Sequence, residues 1–335
     1  MGSMARSHLR NMLPRGDTVV VASCEPSSAE LELTATEFRR IGLPTPPNEP
    51  DSTRFVERFA PELDVIFIIT PHVFHAAQTT ASLEAGVDVL LEKPMVMNAV
   101  EAEALIATRD RTGRLLVIAF PGSLSPQVRA AARMIASGEV GALLNVNAMV
   151  WQDWALQTSG TWRQVPALSG GGFLFDTGAH MLNTVTDIAG QEFTQVAAWL
   201  EDDDRAVDIR GVIIARLASG ALVTMNGCGS AIPSCHSEIR VFTTGAILKT
   251  GIWGETLEIQ RAGASGLRKV RAVVAMPIWE QFLNVRNGRI PNPSPPEVGL
   301  RMARLWDAIR ESTARAGAVV RLPVGGPAPL AATAR

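Results

Sequence analysis

At 335 residues the chain exceeds what one hydrophobic core ordinarily supports, so two domains are expected. With 47% hydrophobic and 19% charged residues it reads as globular, and a net charge of -2 without a long basic run argues against nucleic acid or an anionic membrane as partner. Three cysteines (Cys24, Cys228, Cys235) give neither an even disulfide framework nor a metal spacing, and no segment approaches a membrane span, so a cytoplasmic protein without a metal centre is expected.

The first 120 residues alternate strand-like and helix-like segments. Residues 18–23 (TVVVAS), 64–70 (DVIFIIT), 87–91 (VDVLL) and 115–120 (LLVIAF) are short apolar runs, the pattern of strands buried on both faces in a parallel sheet. Between them, residues 73–85 predict a helix closed by Gly86. Residues 98–110 predict another, with Asn98 as N-cap and Glu101 completing a capping box. This rhythm predicts an α/β, Rossmann-like, doubly wound domain over residues 1–120.

Residues 121–335 follow a different pattern, an α+β domain for substrate binding and oligomerisation. After a helix over 126–137 come candidate strands at 143–151, 195–200, 208–217, 221–226 and 238–242, with weaker ones to 275. The Ser219-Gly220 and Thr244-Gly245 pairs read as hairpin turns, which predicts a mostly antiparallel open sheet. A last helix spans 297–316, and the open sheet is expected to pack on a second subunit, as a homodimer or homotetramer.

Two stretches carry chemistry. An apolar run ends abruptly in Glu92-Lys93-Pro94, and Gly170-Gly171-Gly172 leads through Asp176 to His180. One lysine, one aspartate and one histidine at the ends of buried elements suit proton and hydride chemistry at a hydroxyl-bearing carbon. Thr70-Pro71-His72-Val73-Phe74-His75, Glu84 through Pro94, Ser137 through Gly141, Trp162-Arg163, Asp176 through His180 and the segment 294–323 occur in order. Together they resemble the Gfo/Idh/MocA oxidoreductases across essentially the whole chain.

That resemblance implies NAD(P)-dependent hydride transfer to or from a sugar, inositol or related polyol, with Lys93, Asp176 and His180 as catalytic residues that also bind substrate. An imidazole titrates near pH 6.5 and an ammonium near 10.4, so His180 is the better-matched base. Lys93 is then the cation that stabilises alkoxide charge. Asp176, four residues before His180, is expected to orient the imidazole or grip a sugar hydroxyl. Trp151 and Trp154 are candidate stacking surfaces for a sugar ring, and Asn183, standing where the family commonly has aspartate, is a further substrate contact. Pro121 and Ser123 replace the Asn and Arg common in the family, which suggests a neutral substrate.

On the cofactor side the resemblance assigns Gly2, Ser3 and Met4 to the end of a glycine-rich turn. Glu25 is the acid facing the ribose, which favours NAD over NADP. Thr70, Pro71, His72, His75, Glu92, Lys93, Trp162 and Arg163 complete the set, with Pro94 in a cis linkage by analogy. The first strand and first glycine of such a fold are absent from the sequence, so a segment upstream of Met1 is expected. A redox-assisted glycosidase of the same fold and a non-catalytic NAD/sugar-binding sensor are the alternative readings.

Overall fold

A computed structural model describes residues 1–271 and 276–323, so the weak strand expected to end at 275 runs partly outside the described residues. The N-terminal half opens with helices α1 (Ser3–Met12), α2 (Ser28–Arg40) and α3 (Ser52–Phe59). Strand β1 (Val65–Ile68), helix α4 (His75–Glu84), strand β2 (Asp88–Leu91), helix α5 (Ala99–Thr112) and strand β3 (Leu116–Ile118) follow. The three strands pair in parallel in the order β1-β2-β3, the Rossmann arrangement expected. The cap predicted at Asn98 is present: its side chain accepts from the Glu101 amide at 2.9 Å, and Glu101 in turn accepts from the Met97 amide at 3.1 Å.

Residues 18–23 correct the sequence reading. Only Ser23 makes a bridge, to Asn48, and none of them joins the sheet. A β-branched run becomes a strand only where a neighbour takes up its backbone groups. Here an apolar groove of about 280 Å³, lined by Ala5, His8, Val21, Phe67 and Ile69 among others, separates the run from β1.

The second half carries short helices α6 (Pro121–Leu124), α7 (Pro126–Ala136), strand β4 (Leu143–Gln152), and short helices α8 (Trp154–Gln157), α9 (Pro166–Ser169) and α10 (Phe173–Asp176). Helix α11 (Gly178–Ala189) leads to strands β5 (Phe193–Glu201), β6 (Arg210–Leu217), β7 (Leu222–Cys228), β8 (Cys235–Thr243), β9 (Ala246–Thr250), β10 (Leu257–Arg261) and β11 (Arg268–Lys269). Helices α12 (Ile278–Arg286) and α13 (Pro296–Ala314) and strand β12 (Val320–Arg321) close the chain. The strands form one nine-stranded sheet in the order β11-β10-β9-β8-β4-β7-β6-β5-β12. All its pairs are antiparallel except β4 with β7.

The buried face of that sheet packs on α11, of which every residue from Gly178 to Ala189 except Asp187 is buried. Its other face leaves Met149, Trp199, Val212, Ile214 and Leu222 between 44% and 48% exposed. The chain also crosses back: Trp279 and Phe282 of α12 pack with Met12, Leu90 and Val117 of the first half. The Ser294 carbonyl accepts from the Ile118 amide at 2.8 Å. These returns hold the ends of β2 and β3 against the second half, and the site lies where β2 runs out.

Candidate active site

Strand β2 delivers Glu92, Lys93 and Pro94 at its C-terminal end, with the Lys93-Pro94 peptide cis. The Lys93 Nζ donates to the Asp176 backbone oxygen and to Asp176 Oδ1, both at 2.9 Å. The other carboxylate oxygen, Oδ2, accepts from Trp154 Nε1 at 2.9 Å and Arg163 Nε at 3.1 Å. Burial alone would raise the Asp176 pKa; the charges of Lys93 and Arg163 and the Lys93 hydrogen bond outweigh it and hold the carboxyl well below the usual range. Asp176 is therefore an anion whose acceptors are filled by Lys93, Trp154 and Arg163, and none of its hydrogen bonds goes to His180. It aims the ammonium, not the imidazole.

Its placement depends on Asp208, which no motif or spacing singles out. The Asp208 carboxylate accepts from the Gly172 amide at 2.6 Å and the Leu174 amide at 2.8 Å, capping the turn of helix that ends in Asp176. A Cβ at Gly172 would run into the Asp208 backbone, so glycine is required for this close approach. Burial raises the Asp208 pKa against those two backbone bonds.

His180 lies in the first turn of α11, 8% exposed, with its Nδ1 buried and unpartnered among the described residues. Burial, and then the Lys93 charge, push its pKa well below the ordinary histidine value, against a smaller opposing pull from Asp176. At neutral pH the ring is uncharged and can accept a proton. Phe120 meets it edge-on at 6.2 Å between ring centroids, and Trp253, partly buried, stands at 6.0 Å. The sequence offered no periodic signal that singled out Trp253.

Several expected contacts are placed differently. Asn183 is 1% exposed and spends its polar atoms internally, donating to Ser123 Oγ at 2.7 Å and Asp187 Oδ2 at 3.1 Å and accepting from Arg301 Nη2 at 3.1 Å. It ties α11 to α6 and α13. Trp154 is 2% exposed and serves as the Asp176 donor, which leaves it no open face for a sugar ring; Trp151 is half-buried and stacks on His236 at 5.2 Å.

His75 is fully buried, with its ring nitrogens 2.8 Å from the Pro94 oxygen and 2.9 Å from the Thr70 oxygen. His72, 3% exposed, has Nδ1 2.7 Å from the Ser169 oxygen, and burial pushes its pKa down to about 3. Both rings are thus enclosed, with these nitrogens held by backbone oxygens. Both Glu92 oxygens are likewise taken, Oε1 by His8 Nε2 at 2.7 Å and Oε2 by the Lys93 amide at 3.2 Å.

The remaining cofactor candidates lie along one edge. Gly2 precedes α1 in an extended conformation, and no side chain caps the first turn from Ser3 and Met4, so its amides are free to meet a diphosphate. Glu25 comes next to them, its carboxylate against the Met1 ammonium and accepting from the Ser27 amide at 2.8 Å. Thr70, which donates to Gln78 at 2.8 Å, and Pro71 close the end of β1. Trp162 packs against His72 at 4.7 Å under the Arg163 guanidinium, which sits 4.6 Å from the indole and joins this edge to Asp176. The open amides at the start of α1 and the Glu25 carboxylate are groups of the kind a dinucleotide site needs.

Comparison with known proteins gives the same picture. Residues 1–120 match the model described as an oxidoreductase family with an NAD-binding Rossmann fold, and residues 128–249 match the GFO/IDH/MocA C-terminal domain. The levoglucosan dehydrogenase of Pseudarthrobacter phenanthrenivorans is 28% identical over 183 residues, 54% of this chain and 44% of that protein. A D-xylose 1-dehydrogenase (NADP(+)) of Hypocrea jecorina is 35% identical over 137 residues, 37% of this chain and 34% of that protein. The aligned stretch thus spans less than half the length of either relative. Among solved structures, an oxidoreductase domain protein from Kribbella flavida superposes with a TM-score of 0.81 at 22% identity, over 97% of this chain and 96% of that one. Levoglucosan dehydrogenase in complex with NADH and L-sorbose gives 0.81 at 23% identity over 96% of each chain.

Proposed function

The chain belongs to the Gfo/Idh/MocA oxidoreductase family, and from that premise we propose that it is an NAD-dependent dehydrogenase oxidising a secondary hydroxyl of a neutral sugar, inositol or related polyol. The observation that carries this reading is the Lys93 ammonium fixed on Asp176 while its charge also reaches the uncharged His180 ring. Lys93 would donate to the substrate oxygen and stabilise charge as it develops there. His180 would take the hydroxyl proton. Bound NAD supplies the hydride acceptor. Glu25 would meet the ribose diol, and its charge disfavours the additional phosphate of NADP.

The Arg163 charge is spent on Asp176 and the Arg301 charge on Asp187, which supports a substrate without phosphate or carboxylate. Trp253 and Phe120 offer apolar ring faces beside His180, a surface suited to the C–H face of a polyol. Residues 1–120 together with α12 would form the cofactor lobe, and the exposed apolar sheet face would pair two copies of the chain. No helix among the described residues is long and apolar enough to cross a membrane; we place the protein in the reducing cytoplasm, where three free thiols persist.

The test is a panel of neutral sugars, inositols and acyclic polyols incubated with NAD. Accumulation of reduced cofactor with one of them supports the reading. Tight NAD binding with no turnover on any panel member, or release of free sugar from glycosides without net reduced cofactor, would replace it.

A further inference from the structure

A second buried pair lies behind the site. His8, in the middle of α1, is 9% exposed and places Nε2 2.7 Å from Oε1 of Glu92, which is 8% exposed. The two residues are 84 apart in sequence and belong to different elements. The second Glu92 oxygen accepts from the Lys93 amide at 3.2 Å, and the Glu92 amide donates to the Ile68 oxygen at 2.9 Å. Phe67 lies 4.7 Å from the His8 ring, closing an apolar side over the pair.

Glu92 is thus a carboxylate with one oxygen reserved for the Lys93 backbone and one for His8. Among the described residues, no other side chain donates a hydrogen bond to it. Without His8, Oε1 of Glu92 would be left with no side-chain partner among the described residues, while Oε2 still holds the Lys93 amide. A buried carboxylate left unpaired either recruits a cation or takes up a proton, and either outcome disturbs the segment that aims Lys93.

We propose that His8 is a positioning residue: through Glu92 it fixes Lys93, and it couples the helix that begins at the Gly2–Met4 turn to the alignment of the ammonium. The proposal rests on the dehydrogenase reading above, since it concerns the same lysine. It implies that an NAD diphosphate seated at the start of α1 and the ammonium at the end of β2 share one hydrogen-bonded frame.

The test compares His8→Leu, His8→Asn and His8→Gln in the full chain, each with kcat, KM for the polyol, NAD affinity by fluorescence titration and thermal midpoint. Losing a hydrogen bond to a charged group predicts that His8→Leu lowers kcat about 10- to 100-fold. Polyol KM and NAD affinity should stay within about threefold of the parent. Gln extends its amide far enough to donate to Glu92 and should restore most of kcat, while the shorter Asn should not, which keeps the comparison informative even if His8→Leu fails to fold. A merely structural role predicts a lower thermal midpoint with kcat preserved, or equal loss in Gln and Asn; either result overturns the proposal. Failure of the dehydrogenase reading itself would show separately, as no polyol oxidation by the parent enzyme.

Discussion

Replacing Lys93 by methionine removes the ammonium while keeping most of the side-chain volume. In the parent, Nζ makes two bonds at 2.9 Å to Asp176, and both side chains are only 11% exposed, so solvent screens the pair little. The variant does not leave Asp176 bare, because Trp154 Nε1 and Arg163 Nε still hold Oδ2. The stability cost should then be about 1.5–3 kcal/mol, the value of a hydrogen bond to a charged group, and not the roughly 3–5 kcal/mol of an orphaned buried ion. The catalytic loss should be larger. Removing a donor aimed at developing oxyanion charge lowers kcat by about 10²–10³, or some 3–4 kcal/mol. The assay is the rate of nicotinamide reduction at saturating polyol, with NAD binding and thermal midpoint measured on the same preparation. A folded variant that binds NAD and turns over within about threefold of the parent would refute the assigned role of Lys93.

Other consequences follow from the same geometry. If His180 is the base, its lowered pKa moves the acidic limb of kcat/KM down, so activity should stay level as pH falls through about 6.5 and fail only below it; activity that instead climbs steadily toward pH 10 would make Lys93 the base. Asp176→Asn should reduce stability at pH 7 by about 1.5–3 kcal/mol. Because the folded pKa of Asp176 is depressed, the parent's advantage is present above about pH 4 and is lost as pH falls toward the folded value; denaturation midpoints across that range would show a constant gap if the account is wrong. Gly172→Ala forces a methyl into the Asp208 backbone and should destabilise by about 1–3 kcal/mol while lowering kcat through displacement of Asp176, whereas an unchanged melting curve would remove Asp208 from the argument.

What the chain discloses locally and what only the fold supplies can be separated residue by residue. The apolar runs at β1, β2 and β3, the Asn98 cap and the two hairpin turns are set by neighbours within a few positions, and each forms where the periodicity puts it. Helices α2 and α3 also carry local signals, the Ser27 and Asp51 caps and, in α3, the buried pair Phe55 and Phe59 four residues apart; α2 is polar along most of its length and shows no comparable apolar stripe. Residues 18–23 show the opposite case: a strand-like run cannot supply its own partner, and sequence pattern is silent on whether one is present.

The site divides along the same line. Lys93, Asp176 and His180 stand out because charged and ionisable groups interrupt apolar or glycine-rich stretches. Their wiring does not, because it joins residues 83 apart in Lys93–Asp176 and 118 apart in Asn183–Arg301. Spacing of four residues made Asp176 a partner for His180, yet the Asp176 acceptors go to Lys93, Trp154 and Arg163, all from outside its own helix. A carboxylate in a nearly dry site is claimed by whichever cations the fold delivers, because each opposite charge there outweighs any benefit of facing a neutral ring. Helical proximity therefore sets which groups share a site, and the long-range charge distribution sets which of them bond.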